Sequence, residues 1–180
     1  TDQCLMKTIV LYYSKNGSNR YLAREIANRL SCDIEELIPR LDVFLLYLMR
    51  INLGNKSLKH EIGDYDKVIL CGPIWIGKLI PPLRSFLLKY KDRIKELDFV
   101  TCCGSSDSKK DDKFGHGFVF KEVQHIMQNK CAVCQAFPID LVLPDYQKED
   151  EHSIMNTRLS DETFNGIIRE RLETYLEKVS

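Results

Sequence analysis

The chain has no hydrophobic run long enough to cross a membrane. Its longest uninterrupted apolar stretch, Val43 to Met49, is seven residues, against about 18 for a spanning helix. It has no net charge, because 26 Lys and Arg balance 26 Asp and Glu. The basic surplus on which general nucleic-acid binding depends is therefore missing. No basic segment leads into an apolar core at the start of the sequence, so no signal peptide is expected. A disulfide framework is also missing. The cysteines are Cys4, Cys32, Cys71, Cys102, Cys103, Cys131 and Cys134, an odd number. Most sit inside apolar runs, where a free thiol behaves as a small hydrophobe. That usage fits a reducing cytoplasm. There are no internal repeats and no low-complexity linker, so residues 1–180 are expected to form a single domain.

What is present is an alternation of short apolar runs with helical periodicity, the pattern of βαβ units around a parallel sheet. At 44% hydrophobic the chain can bury a full core. Thr8–Tyr13 reads as a first strand, and Leu22, Ala23, Ile26, Ala27 and Leu30 then recur at helical spacing. Asp33–Leu37 suits a short second strand and Lys67–Cys71 a buried third. Pro81 and Pro82 fit the first turn of a helix that places Leu83, Phe86, Leu87 and Tyr90 on one face. Asp98–Cys103 is a fourth strand, Phe118–Met127 a helix, and Cys131–Leu143 holds a fifth strand broken at Pro138. Ser160, with Asp161 and Glu162 behind it, is placed as the cap of a last helix striped by residues from Phe164 to Val179. The fold class is thus α/β: a doubly wound five-stranded parallel sheet with helices on both faces. Ligands of such sheets bind outside the carboxyl ends of the strands. Three loops leave those ends, after Tyr13, Cys71 and Thr101.

The first loop, Ser14, Lys15, Asn16, Gly17, Ser18 and Asn19, runs from a buried strand into a helix. Gly17 permits an unusual turn. The new helix offers unpaired N–H groups and its positive end. A plain helix cap accounts for one such polar side chain. Four hydroxyl or amide donors around a glycine suit a phosphate monoester better. In the second loop, Trp75 is the only tryptophan, and a flat ring at a strand's carboxyl end can stack on a planar ligand or pack into the core. Gly72–Lys78 also matches the opening of a triphosphate P-loop, G-x-x-x-x-G-K. The match fails where magnesium would be held, since Leu79 stands in place of Ser or Thr. Pro73 also lacks an N–H.

Cys102, Cys103, Cys131 and Cys134 invite a zinc reading. The first two end one strand and the third begins its parallel neighbour, roughly 17 Å away for five residues. Cys131 and Cys134 differ by an odd number and would face opposite sides of a regular strand. Buried strand thiols are expected instead. The polar stretch Ser106–Gly117 reads as a mobile loop at a substrate or partner entrance. His116 lies in it, and no histidine pairs with a cysteine or serine as a catalytic unit. Asp42–Leu53 is apolar nearly all round. It is either packed under the segment Pro39–Ile62 or exposed as a contact surface. In the latter case Phe44, Tyr47, Leu48 or Ile51 would meet a partner, such as a second copy in a homodimer.

Tyr12–Asn19 (YYSKNGSN) resembles the phosphate loop of the flavodoxin family, S-x-T-G-N-T. Ser14 and Gly17 match directly, while Asn16, Ser18 and Asn19 are substitutions that keep the donors. Tyr65–Leu87 resembles the same family's strand, its glycine–proline–tryptophan–glycine segment and its proline-opened helix. The resemblance runs from about Met6 to Leu143 and implies strand order 2-1-3-4-5. It implies FMN, with the phosphate in Ser14–Asn19. The ring would lie between one wall of Pro73, Ile74, Trp75, Ile76, Gly77 and Lys78 and another of Cys102, Cys103, Gly104 and Ser105, with Gly77 backbone near flavin N5. It implies electron transfer to a redox partner protein or a small-molecule acceptor. Family carriers are often strongly acidic, which disfavours the reduced flavin anion and guides basic partners. This chain is neutral, which keeps an alternative open: an FMN-dependent NAD(P)H oxidoreductase acting on a quinone or similar acceptor. No acid–base residue stands out for it, although hydride transfer needs mainly positioning. A third reading is a flavodoxin fold without flavin that serves as a binding module.

Overall fold

The computed structural model describes residues 6–51 and 53–179. Cys4, and Asn52 of the helix predicted over 42–53, lie outside the described residues. Five strands, β1 (Thr8–Tyr12), β2 (Asp33–Glu36), β3 (Lys67–Cys71), β6 (Glu96–Cys103) and β7 (Cys131–Pro138), form one sheet in the order β2-β1-β3-β6-β7. Every pairing in it is parallel. A separate antiparallel hairpin of β4 (Ile74–Trp75) and β5 (Lys78–Leu79) leaves the end of β3. Set the hairpin aside and the order is 2-1-3-4-5, as expected.

Alternate residues of each strand face opposite sides, and the chain uses both. Val10, Tyr12, Ile69, Cys71 and Val100 pack against α1 (Ser18–Leu30) and α6 (Ile167–Val179). Ile9, Leu11, Val68, Leu70 and Phe99 pack against α3 (Pro81–Tyr90) and α4 (His116–Met127). Both faces being covered, the central strands are apolar throughout, and all five residues of β3 are buried. The proline pair opens α3 with its missing N–H groups at the turn where helices have no internal partner for them. Gly72 lets the chain leave β3 close to α3, because a Cβ there would meet Leu83 at 2.7 Å.

Four expectations are corrected. α6 starts at Ile167, not after Ser160. Ser160 instead closes a turn in which its carbonyl accepts from Thr163 and Phe164 N, and Gly166, at φ 55°, delays the helix. The apolar segment at 42–53 makes only a seven-residue helix, α2 (Val43–Met49), which Arg50 ends in the left-handed conformation at φ 54°. The stretch 106–117 is folded: Gly117 N donates to Lys110 O, Gly115 N donates to Asp112 O, and a Cβ at Gly115 would lie 2.0 Å from Lys110 O. Arg171 of α6 clamps its Asp107 at 2.6 Å. Last, Cys131 and Cys134 do not face opposite sides, because β7 carries a bulge between them.

Among the described residues no helix is long and apolar enough to cross a membrane, and no three His, Cys, Asp or Glu side chains converge as a metal site would require.

Candidate functional site

The three expected loops meet over the carboxyl ends of β1, β3 and β6. With α5 (Glu151–Asn156) and the residues after it they enclose a cleft of about 310 Å³. Its lining takes in Ser14, Lys15, Asn16, Ser18 and Asn19 of the first loop, Pro73, Ile74 and Trp75 of the second, and Cys102, Cys103 and Gly104 of the third.

Gly17 sits at the cap of α1 with φ 97°, a conformation that side chains rarely adopt. No side chain caps this helix. Its first N–H groups and its positive end therefore face the loop. Ser14 Oγ accepts from Gly17 N at 3.1 Å and so tightens the turn. Ser18 Oγ accepts from Leu159 N at 3.1 Å. Two expected phosphate contacts are redirected. Asn19 is buried, and its amide grips the third loop: Nδ2 donates to Cys102 O at 3.0 Å, and Oδ1 accepts from Cys102 N at 2.8 Å. It locks two walls together, with one amide N–H of Nδ2 engaged in the grip. Lys15 extends away over aromatic faces, its Nζ 5.5 Å from the Trp75 ring centre and 5.9 Å from that of Phe44. Arg20, five residues on, pairs with Glu36.

The second loop is a hairpin whose two-residue turn, Ile76–Gly77, has positive φ at both positions, 51° and 63°. That is the twist a tight hairpin prefers. Gly77 is required twice over, since a Cβ there would meet Lys113 O at 2.8 Å. Ile76 is β-branched and in a strained region, at a cost of order 1–3 kcal/mol, and its side chain is 58% exposed. Trp75 is half-buried and meets Tyr47 of α2 edge-on at 6.0 Å. The short apolar helix thus braces the tryptophan wall. In the third loop, burial pushes the Cys102 thiol up to about 12 and Cys103 higher still. Both stay protonated at neutral pH and contribute surface, not a nucleophile.

A family model described as a flavodoxin domain matches residues 48–160. The chain belongs to the flavodoxin family. No curated protein sequence matches it. Among solved structures, the flavoprotein of Lactobacillus acidophilus in complex with FMN is 15% identical over 73% of this chain and 93% of its own, with a TM-score of 0.60. The apo form of the L. acidophilus flavoprotein gives 16%, 72%, 91% and 0.54. A candidate flavoprotein of Bacteroides eggerthii gives 18%, 73%, 87% and 0.59. At these identities the likeness is one of fold.

The matched segment begins after the first loop, so the reading of that loop in this flavodoxin-family chain rests on its own geometry. Sequence reasoning missed part of the site. Ile154, Met155, Thr157 and Arg158 line the cleft from α5 and the turn after it. Ile154 Cγ2 would lie 3.2 Å from a Cβ at Gly104, so that glycine admits the helix. The half-buried Arg158 donates through Nη1 to Met155 O and to Thr157 O at 2.7 Å. Its charge sits in the same cleft as the cap of α1. No local signal marks these residues; they arrive by tertiary packing. His116, read from sequence as a loop residue outside any catalytic unit, is buried against the third loop. It is 3% exposed, with Nδ1 3.9 Å from Cys103 Sγ and Nε2 4.0 Å from Asp107 Oδ1. Burial lowers its proton affinity although Asp107 pulls the other way. A neutral imidazole beside a protonated thiol is a packed pair, not an activated one.

Proposed function

We propose that this chain binds FMN non-covalently in the 310 Å³ cleft and passes electrons through it. The observation that carries the reading is the convergence, at the sheet's switch point, of an uncapped helix start behind a left-handed glycine with an aromatic wall. The cradle fits a phosphate monoester. Ser14, Asn16, Ser18, the N–H groups at the start of α1 and Arg158 would hold it, with Gly17 shaping the turn. The hairpin from Pro73 to Lys78 would cover one side of the ring and Cys102 to Ser105 the other. Gly77 is fixed in place by the close approach of Lys113 O and would present backbone to the ring edge. Bound there, the flavin supplies one- and two-electron chemistry, and the protein positions it and excludes water. The six described cysteines are free, which supports a cytoplasmic setting. The exposed Phe44, Leu48 and Met49 of α2 flank the tryptophan wall and offer a surface to a redox partner protein or a second copy.

A second reading is favoured by one observation. A groove of about 710 Å³ adjoins the cleft, sharing Ile74, Gly104, Ile154 and Met155 with it and bounded by Ile76, Phe114 and Lys113. It has room for a small molecule against the flavin edge, as an NAD(P)H oxidoreductase with a quinone-type acceptor requires and a pure carrier does not.

The test is a visible absorption spectrum of the purified chain during FMN addition. The flavin band should shift and saturate. Gly17→Ala strains the turn by about 1–2 kcal/mol and Trp75→Ala removes the wall. Each should weaken binding roughly tenfold or more, one step of ten being 1.4 kcal/mol. A band that never departs from that of free FMN overturns the proposal. Steady NAD(P)H oxidation by the loaded protein selects the enzyme; none selects the carrier.

A further inference from the structure

The bulge in β7 creates a second site of its own. Leu97 of β6 pairs with Cys131, Asp98 with Val133 and Phe99 with Cys134, so Ala132 is the extra residue. Leu97 and Phe99 are two positions apart and share a face. The bulge makes their partners share it too. Cys131 and Cys134 accordingly pack on the same apolar cluster, and their Sγ atoms lie 3.5 Å apart. Leu97 and Phe99, two residues apart, are about 6.6 Å apart at Cα, and the ladder sets their partners Cys131 and Cys134 opposite them, close to the roughly 4.4–6.8 Å span that disulfides accept. β7 is an edge strand and both residues are only half-buried, so small molecules reach them from solvent. They sit at the amino end of β7, with the cleft at its other end.

We propose that Cys131 and Cys134 form a reversible dithiol–disulfide site, oxidised by small disulfides of the glutathione type. The hydrogen bond from Cys134 holds the Cys131 thiol below its ordinary value, against burial and the nearby Asp98, while Cys134 is pushed up. Cys131 is therefore the first to attack. Its thiolate forms a bond to one sulfur of oxidised glutathione and the glutathione S–S bond breaks, releasing one glutathione thiolate that takes up a proton. Cys134 then loses its proton to solvent, attacks Cys131 Sγ and releases the second glutathione. Two electrons pass from the protein thiols to the glutathione disulfide. With no third side chain converging on the pair among the described residues, thiol exchange is the chemistry left to it.

The sequence offers a direct readout. Trypsin cuts after Lys130 and Lys148, releasing a single peptide over residues 131–148 that carries these two cysteines and no other. The full chain is equilibrated in glutathione buffers of graded ratio, blocked with N-ethylmaleimide and digested. In oxidising buffer the peptide should be lighter by two hydrogens and unlabelled; in reducing buffer it should carry two labels, with a single midpoint between. Cys134→Ser should stop at a glutathione adduct on Cys131 while its FMN titration matches wild type. Two labels at every ratio overturn the proposal, as does a wild-type peptide that gains glutathione without closing the internal bond.

Discussion

At the amino end of the sheet, Lys67 is 4% exposed, with Nζ 2.7 Å from Glu96 and 3.6 Å from Asp98. Asp98 is fully buried and accepts from Tyr175 OH at 2.9 Å. At the carboxyl end, the polar groups are arranged differently. The start of α1 has no side-chain cap, Gly17 is held in a left-handed turn, and Arg158 donates to carbonyls of its own turn. The first end pairs its buried charges with one another, although Asp98 Oδ1 keeps no hydrogen-bond partner among the described residues, and the second leaves donors to be answered from outside. Buried polar groups are expensive unless partnered. The asymmetry therefore separates a part of the molecule that stabilises from the part proposed to bind.

The sharpest way to break that separation is Lys67→Met. Removing one partner of a buried ion pair costs about 3–5 kcal/mol, because Asp98 keeps its burial and loses its cation. The apo protein should unfold at clearly lower urea, while the dissociation constant for FMN stays within about twofold of wild type. A comparable loss of FMN affinity in the folded variant would mean that the two ends are coupled through β3 and β6.

The reverse experiment is Arg158→Ala. A hydrogen bond to a charged group is worth about 1.5–3 kcal/mol, so FMN should bind roughly 10- to 100-fold more weakly. Riboflavin, which has no phosphate, should bind as it does to wild type, and the urea midpoint should barely move. Equal losses for both ligands would place Arg158 near the ring and away from the phosphate cradle.

The two ends also differ in how far the sequence discloses them. Apolar runs such as Lys67–Cys71 announce strands because both faces of a parallel sheet are covered, and Gly17 and Trp75 mark their loops by residue type alone. Strands β4 and β5 are two residues each, too short for any periodicity, so the hairpin stayed hidden inside a loop. Arg158 and Ile154 reach the cleft from far along the chain. Asn19 reads as a ligand donor, and its second task, gripping the backbone of Cys102, comes only with the fold. The bulge at Ala132 reverses the facing of Cys131 and Cys134, which alternation over a regular strand cannot foresee. Ser106–Gly117 has a loop's composition, and its order comes from glycines packed on Lys110 O and from Arg171 on a distant helix.

The smallest expected effect is a change of slope with pH. Burial raises the proton affinity of Asp98 above the ordinary value of 3.8, with Lys67 and Tyr175 opposing it. Its Oδ1 has no hydrogen-bond partner among the described residues. In the unfolded chain Asp98 ionises near 3.8; in the folded chain it resists until the pH is higher. Its contribution to stability is therefore whole below the unfolded value and is lost as pH rises through the folded one. A tenfold difference in proton affinity between the two states corresponds to about 1.4 kcal/mol. Asp98→Asn does not titrate. The stability of wild type minus that of the variant, measured by urea unfolding of the apo protein, should be larger at about pH 4 than at about pH 7. Exposed carboxylates with lowered values, such as Asp66 and Glu173, act on both proteins alike and cancel from the difference. A difference that instead grows toward neutral pH would show that Lys67 outweighs burial at this site. The amino end would then be held together by charge, and its contrast with the donor-rich cleft would rest on ion pairing alone.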